Sequence, residues 1–160
     1  ASKITMIPYG ARSVSKSNLS ILQSYGIVNQ NYCIVIARPE PENSLLEIVK
    51  GFSMKKRDHK LVVLGKYFEN NNYHKSILNS ASDEVLFLGP IYDHEISDTL
   101  RHSSKLYIHG HTVGGTNPSL IEALGASQPV LAHNNIFNRW VTNNSAKFFD
   151  DEMSCSDRCP

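Results

Sequence analysis

The stretch YIHGHTVGGTNPSLIEALGASQPVLA, Tyr107–Ala132, decides the fold. It opens on a short apolar run, Leu106 to Ile108, which reads as a strand. A polar, glycine-rich loop follows, His109 to Asn117. Asn117 then stands as an N-cap, with Pro118 at the first helical position. Leu120, Ile121, Ala123 and Leu124 give the helix its apolar stripe, and Gly125 falls close to its end. Val130 to Ala132 is a second apolar run. Strand, loop, helix, strand is a βαβ unit, and such units are right-handed with parallel strands.

The same alternation extends outward. Further apolar runs lie at Ile4 to Ile7, Tyr32 to Ala37, Leu61 to Leu64 and Val85 to Leu88. They are rich in Val, Ile and Leu and show little polar alternation, as strands covered on both faces do. Helical spacing falls between them. Leu45, Leu46, Ile48, Val49 and Phe52 form a stripe after Asn43-Ser44, and Tyr73, Ile77 and Leu78 form a weaker one. Ile96 and Leu100 follow Asp93, a candidate N-cap. The expected fold is α/β: a Rossmann-like, doubly wound parallel sheet of about six strands in three α/β/α layers.

With 160 residues, 41% hydrophobic and 19% charged, the chain is one ordinary domain. Lys+Arg is 16 and Asp+Glu is 15, a formal net charge of +1 that argues against a nucleic-acid partner. No window reaches the 18 or so apolar residues that span a bilayer, and no secretory signal is visible. Cys33 sits in an apolar run, while Cys155 and Cys159 fall in what reads as a polar tail, so a reduced, cytoplasmic chain is the simplest expectation. The one basic run, Lys55 to Lys60, reads as a solvated helix end, with contact to an anionic membrane surface or polyanion as the alternative.

Ligands of open α/β sheets bind beyond the carboxyl ends of the strands. The loop Arg38 to Asn43 holds no glycine and no Gly-Lys-Ser/Thr, which excludes the dinucleotide and Walker fingerprints. The loop His109 to Asn117 is richer. Gly114 and Gly115 let a ligand approach the backbone, and the following helix start suits a phosphate or pyrophosphate; a plain tight turn is the alternative. Glu122, one turn on, can accept from vicinal hydroxyls or simply face solvent. Arg38 can clamp a pyrophosphate across the cleft, or pair with Glu40 or Glu42. His109 and His111 share a face, where one can donate to a phosphate or a sugar hydroxyl while the other packs; no third metal ligand is evident, so no metal is expected.

The motif order resembles the C-terminal, donor-binding half of family 4 glycosyltransferases of the GT-B fold. More narrowly, it is similar to the bacterial rhamnosyltransferase and galactosyltransferase branch that builds surface polysaccharides. The resemblance is carried by Ile7-Pro8-Tyr9-Gly10-Ala11, by Ala37 to Asn43, by Phe87-Leu88-Gly89-Pro90 and, most specifically, by Tyr107 to Ala132. It covers the chain up to Phe149.

The resemblance implies a nucleotide-diphosphate sugar donor, dTDP-rhamnose or a UDP-sugar, and transfer with retention. It places the diphosphate on Gly114, Gly115, Thr116 and Asn117 and the ribose on Glu122. Where the wider family has a first glutamate this chain has Gly114, so His111 or a residue of the N-terminal domain becomes the candidate for sugar contacts, with His111 also the candidate for catalysis. Arg38 matches the phosphate clamp, but Asn43 stands where its lysine is usual, and Lys66 is the candidate replacement. Ile91 falls in the turn that reads the base. No cofactor is implied. Residues 1–160 are expected to be a donor domain without its N-terminal acceptor domain, and inactive alone. The absent half would bind a sugar or lipid-linked glycan acceptor, and the full-length enzyme would associate peripherally with the inner face of the membrane. A GT-B sugar-nucleotide epimerase and a non-catalytic binding domain are the alternatives.

Overall fold

The computed structural model describes Lys3, Thr5, Ile7 and residues 9–160. Six parallel strands form one sheet: β1 (Tyr32–Ile36), β2 (Lys60–Leu64), β3 (Val85–Gly89), β4 (Leu106–His109), β5 (Val130–His133) and β6 (Lys147–Phe149). Among the described residues, seven α-helices accompany them: α1 (Leu19–Ser24), α2 (Leu45–Ser53), α3 (Asn72–Asn79), α4 (His94–His102), α5 (Pro118–Gly125), α6 (Ile136–Val141) and α7 (Glu152–Arg158). The fold is the doubly wound, Rossmann-like α/β sheet that the alternating pattern predicts.

The strand order is β3-β2-β1-β4-β5-β6. The winding therefore reverses between β1 and β4, where Cys33 is paired with Leu106 and Ile34 with Tyr107. A crevice opens at such a switch point, beyond the carboxyl ends of the two strands.

Successive side chains of β1 enter opposite layers. Cys33 and Val35 pack with Leu45, Ile48, Phe52 and Phe149 on one face. Tyr32 and Ile34 pack with Leu22, Leu100, Leu120 and Ala123 on the other. Both faces are dry, which is why the strands read as continuous apolar runs rather than alternating ones. The local helix signals operate as expected: Asp93 Oδ1 accepts from Ile96 N at 3.1 Å, and Asn117 Oδ1 accepts from Ser119 N at 3.0 Å.

Of the run Ile4 to Ile7, Ile4 and Met6 lie outside the described residues, and β6, too short to stand out in the sequence, supplies a sixth strand. Two expectations need revision. The polar tail is the helix α7, opened by an Asp151–Ser154 capping box and packed on the core. Cys155 and Cys159 are buried there, and all three cysteines are free. The basic run is not a uniformly solvated helix end. Arg57 donates to Ser156 O at 2.8 Å and Pro160 O at 2.6 Å, closing the C-terminus of α7, and His59 is buried. No helix among the described residues is long and apolar enough to cross a membrane.

Candidate functional site

A cleft of about 400 Å³ occupies the switch point between β1 and β4. The loop after β1 contributes Arg38 and Asn43, and the loop after β2 contributes Gly65 and Lys66. Pro90, Ile91 and Tyr92 follow β3 and form one wall. His109, Gly110 and His111 come from the end of β4, and Asn117, Pro118, Ser119 and Glu122 from the start of α5. Of the expected site residues, Arg38, Asn43, Lys66, Ile91, His111, Asn117 and Glu122 thus meet in one place.

Arg38 does not pair with Glu40 or Glu42; it and Lys66 are exposed and have no ion-pair partner among the described residues. Their charges are available to an anion in the cleft. The Lys66 ammonium sits 5.1 Å from the centre of the Phe68 ring.

Glu122 is neither a bare ribose acceptor nor an unattached surface carboxylate. Its Oε2 is held by Arg101 Nη2, whose guanidinium comes from the last turn of α4 and is 7% exposed. Arg101 also pairs with Asp98 and keeps Nε buried without a partner. Glu122 remains 41% exposed, and Oε1 has no protein partner among the described residues. Sequence reasoning missed Arg101, because a basic residue in a last helical turn has a sufficient local explanation in the helix dipole.

Gly114, Gly115 and Thr116 do not line the cleft. Gly114 and Gly115 are exposed, with φ of +32° and +74°. The start of α5 is also less open than a bare helix end. Pro118 has no N–H, Ser119 N donates to Asn117 Oδ1, and Leu120 N and Ile121 N donate to Asn117 O. The amides of residues 114–117 make no hydrogen bond to the described residues. The donors for an anion are therefore loop amides ahead of the helix, with the dipole behind them.

Asn43 is 8% exposed and engaged within the protein. Its Nδ2 donates to Arg38 O at 2.9 Å, and its Oδ1 faces His111 Nδ1 at 2.8 Å. His109 and His111 both line the cleft, with ring centres 6.2 Å apart. Burial, with smaller contributions from His111 and His133, lowers the His109 pKa to about 3, so it is neutral at ordinary pH. Among the described residues, no three His, Cys, Asp or Glu side chains group as metal ligands would.

The fold and cleft define a class: doubly wound α/β domains with a cleft at the switch point, where ligands of such sheets bind. The particular family follows from the sequence. The profile described as Glycosyl transferases group 1 matches residues 20–149, and the chain belongs to that family.

Solved structures with this fold include Anabaena HepE in complex with UDP and glucose, at a TM-score of 0.71 and 15% identity, covering 86% of this chain and 40% of that one. Sucrose-phosphate synthase from Thermosynechococcus elongatus has a TM-score of 0.71 at 13% identity, covering 92% and 39%. An alpha,alpha-trehalose-phosphate synthase (UDP-forming) from Burkholderia vietnamiensis has a TM-score of 0.69 at 10% identity, covering 87% and 38%. At these identities the likeness shows the fold. The chain spans roughly two fifths of each of these structures. A search of curated proteins finds no match to the sequence.

Proposed function

We propose that this chain is the donor-binding half of a glycosyltransferase and holds a nucleotide-diphosphate sugar in the β1–β4 cleft. The observation that carries this is convergence. Arg38, Lys66, His111, Glu122 and the start of α5 come from four loops and helices, yet line one cavity. Arg38, Lys66 and the Asn117 amide ahead of α5 supply positive charge and an N–H donor for a diphosphate. Glu122 Oε1 supplies an acceptor for a ribose hydroxyl, and the Pro90–Tyr92 wall supplies a surface for the base. In transfer, the same cations and amide stabilise the negative charge that develops on the departing diphosphate, with retention of configuration at the sugar.

The family and the UDP in the HepE structure support a nucleotide sugar. Within that class we favour dTDP-rhamnose or a UDP-sugar, used for bacterial surface polysaccharide. The sugar or lipid-linked acceptor then sits largely on residues outside this chain, which is inactive by itself. This agrees with its covering only about two fifths of its structural neighbours.

Calorimetry with UDP, dTDP and GDP tests the reading. At least one binds, and Glu122→Ala weakens it by about 1–3 kcal/mol, the scale of a lost hydrogen bond to a charged group. Absence of heat with all three at millimolar ligand overturns it. UDP against dTDP bears on the donor, because a deoxyribose offers Glu122 only its 3′-hydroxyl.

A further inference from the structure

The cleft contains one relay that diphosphate binding does not use. Asn43 Nδ2 donates to Arg38 O at 2.9 Å. Only the amide nitrogen can face a carbonyl, so the atom turned toward His111 Nδ1, 2.8 Å away, is Oδ1. Oδ1 can only accept. The hydrogen-bond network therefore assigns the ring hydrogen of His111 to Nδ1.

The rest of the ring's surroundings is fixed as well. His111 O accepts from Asn135 Nδ2 and Asn138 Nδ2, each at 3.0 Å. Thr112 N and Thr112 Oγ1 donate to Glu42 O at 2.8 and 3.0 Å. Gly110 presses on the Asn43 backbone so closely that an added Cβ would lie 2.1 Å from Asn43 O. His111 is thus clamped between the loop after β1 and the start of α6. Its Nε2 has no protein partner among the described residues and is not among the buried unsatisfied atoms. His109 lines the same cleft with Nε2 buried and unpartnered.

We propose that Asn43 is a positioning residue: it fixes His111 in the Nδ1–H tautomer, so that Nε2 meets a hydroxyl of the bound sugar as an acceptor. This rests on the nucleotide-sugar reading of the cleft. The division of labour follows from donor and acceptor inventory. A phosphate oxygen needs an N–H, which the Nδ1–H tautomer does not offer at Nε2; Arg38 and Lys66 do. A sugar hydroxyl can donate to Nε2. A lysine in place of Asn43 would have three donors and no acceptor for Nδ1–H, so the relay needs an acceptor oxygen at this position.

Long-range ¹⁵N–¹H correlation spectra of the ring at about pH 8, where an ordinary imidazole is neutral, read the tautomer directly. His111→Gln identifies the signals. The wild-type chain shows the Nδ1–H form. Asn43→Asp, which keeps an acceptor, retains it, and Asn43→Leu shifts the ring toward Nε2–H. A wild-type spectrum of the Nε2–H form, or no change in Asn43→Leu, overturns the positioning role.

Binding reads the hydroxyl. UDP, dTDP, UDP-glucose and dTDP-rhamnose are titrated into wild type, His111→Gln and His111→Phe. The ratio of nucleotide-sugar to nucleotide affinity falls about fivefold or more in His111→Phe, while bare nucleotide affinity stays within about twofold. Equal loss of both overturns the sugar contact. A wild-type chain that binds none of the four overturns the cleft reading and the sugar contact with it; the tautomer is then judged by the spectra alone.

Discussion

Burial holds His109 neutral, and that has a consequence for stability. In the unfolded chain its imidazole titrates near 6.5, whereas in the folded protein it titrates at about 3. Between those values the unfolded state binds the extra proton. Stability therefore rises with pH across this window and is lost as pH falls through it, by up to about 1.4 kcal/mol per pH unit. His133 is lowered for the same main reason and adds to the slope in the same sense. Urea unfolding of wild type and His109→Phe at several pH values between about 4 and 7 checks this. The variant should lose close to one proton's worth of the slope, and identical slopes would sink the assignment. Arg101 and Glu122 show the other side of residue-scale electrostatics. One guanidinium in a last helical turn takes one carboxylate oxygen and leaves the other without a partner among the described residues, on a side chain that lines the cleft.

At the scale of elements, the cleft is shaped by how closely the loops after β1 and β4 approach. Gly110 permits the approach. A Cβ there would meet Asn43 O at 2.1 Å and Ile48 Cδ1 at 2.8 Å, and the first of these is backbone that cannot simply turn aside. Gly110→Ala should therefore push the two loops apart, break the Asn43–His111 bond and cost about 1–3 kcal/mol, the usual scale of overpacking. Chemical denaturation together with the His111 ring spectrum would show it. A variant with wild-type stability and an unchanged ring signal would contradict this account. The helix starts at Asp93 and Asn117 were legible in the sequence because an N-cap is a local exchange between one side chain and an amide two or three residues on. Six-residue α1 and α6 and three-residue β6 were not, because such short elements show less than two turns or two pleats of periodicity.

For the molecule as a whole, α7 closes the layer that α2 and β6 begin. It buries Cys155 and Cys159 against the cluster containing Phe52 and Phe149, and Lys55 pairs with Asp157 at 2.6 Å. Ending the chain after Asp150 would expose that cluster and strip Arg57 of its acceptors on α7. The expected loss is roughly 2–5 kcal/mol, from two buried side chains and several hydrogen bonds. The urea midpoint of the shortened chain measures it, and an unchanged midpoint would show that α7 contributes nothing to the fold.

The apolar runs, their alternation with helical stripes and the Asn117-Pro118 start are properties of neighbouring residues. They determined the layered parallel sheet; of the ten site residues expected from the sequence and its family resemblance, seven meet in its cleft. Tertiary structure alone decided the pairings. Asn43 reaches His111 across 68 positions, and Arg101 reaches Glu122 across 21. Strand order alone seats β4 beside β1 and lets their loops face each other. The physical reason is that periodicity and capping are encoded within a few residues. Which carboxylate is paired, which imidazole nitrogen carries the hydrogen and which cations remain free depend on groups that only the completed sheet brings within hydrogen-bond reach.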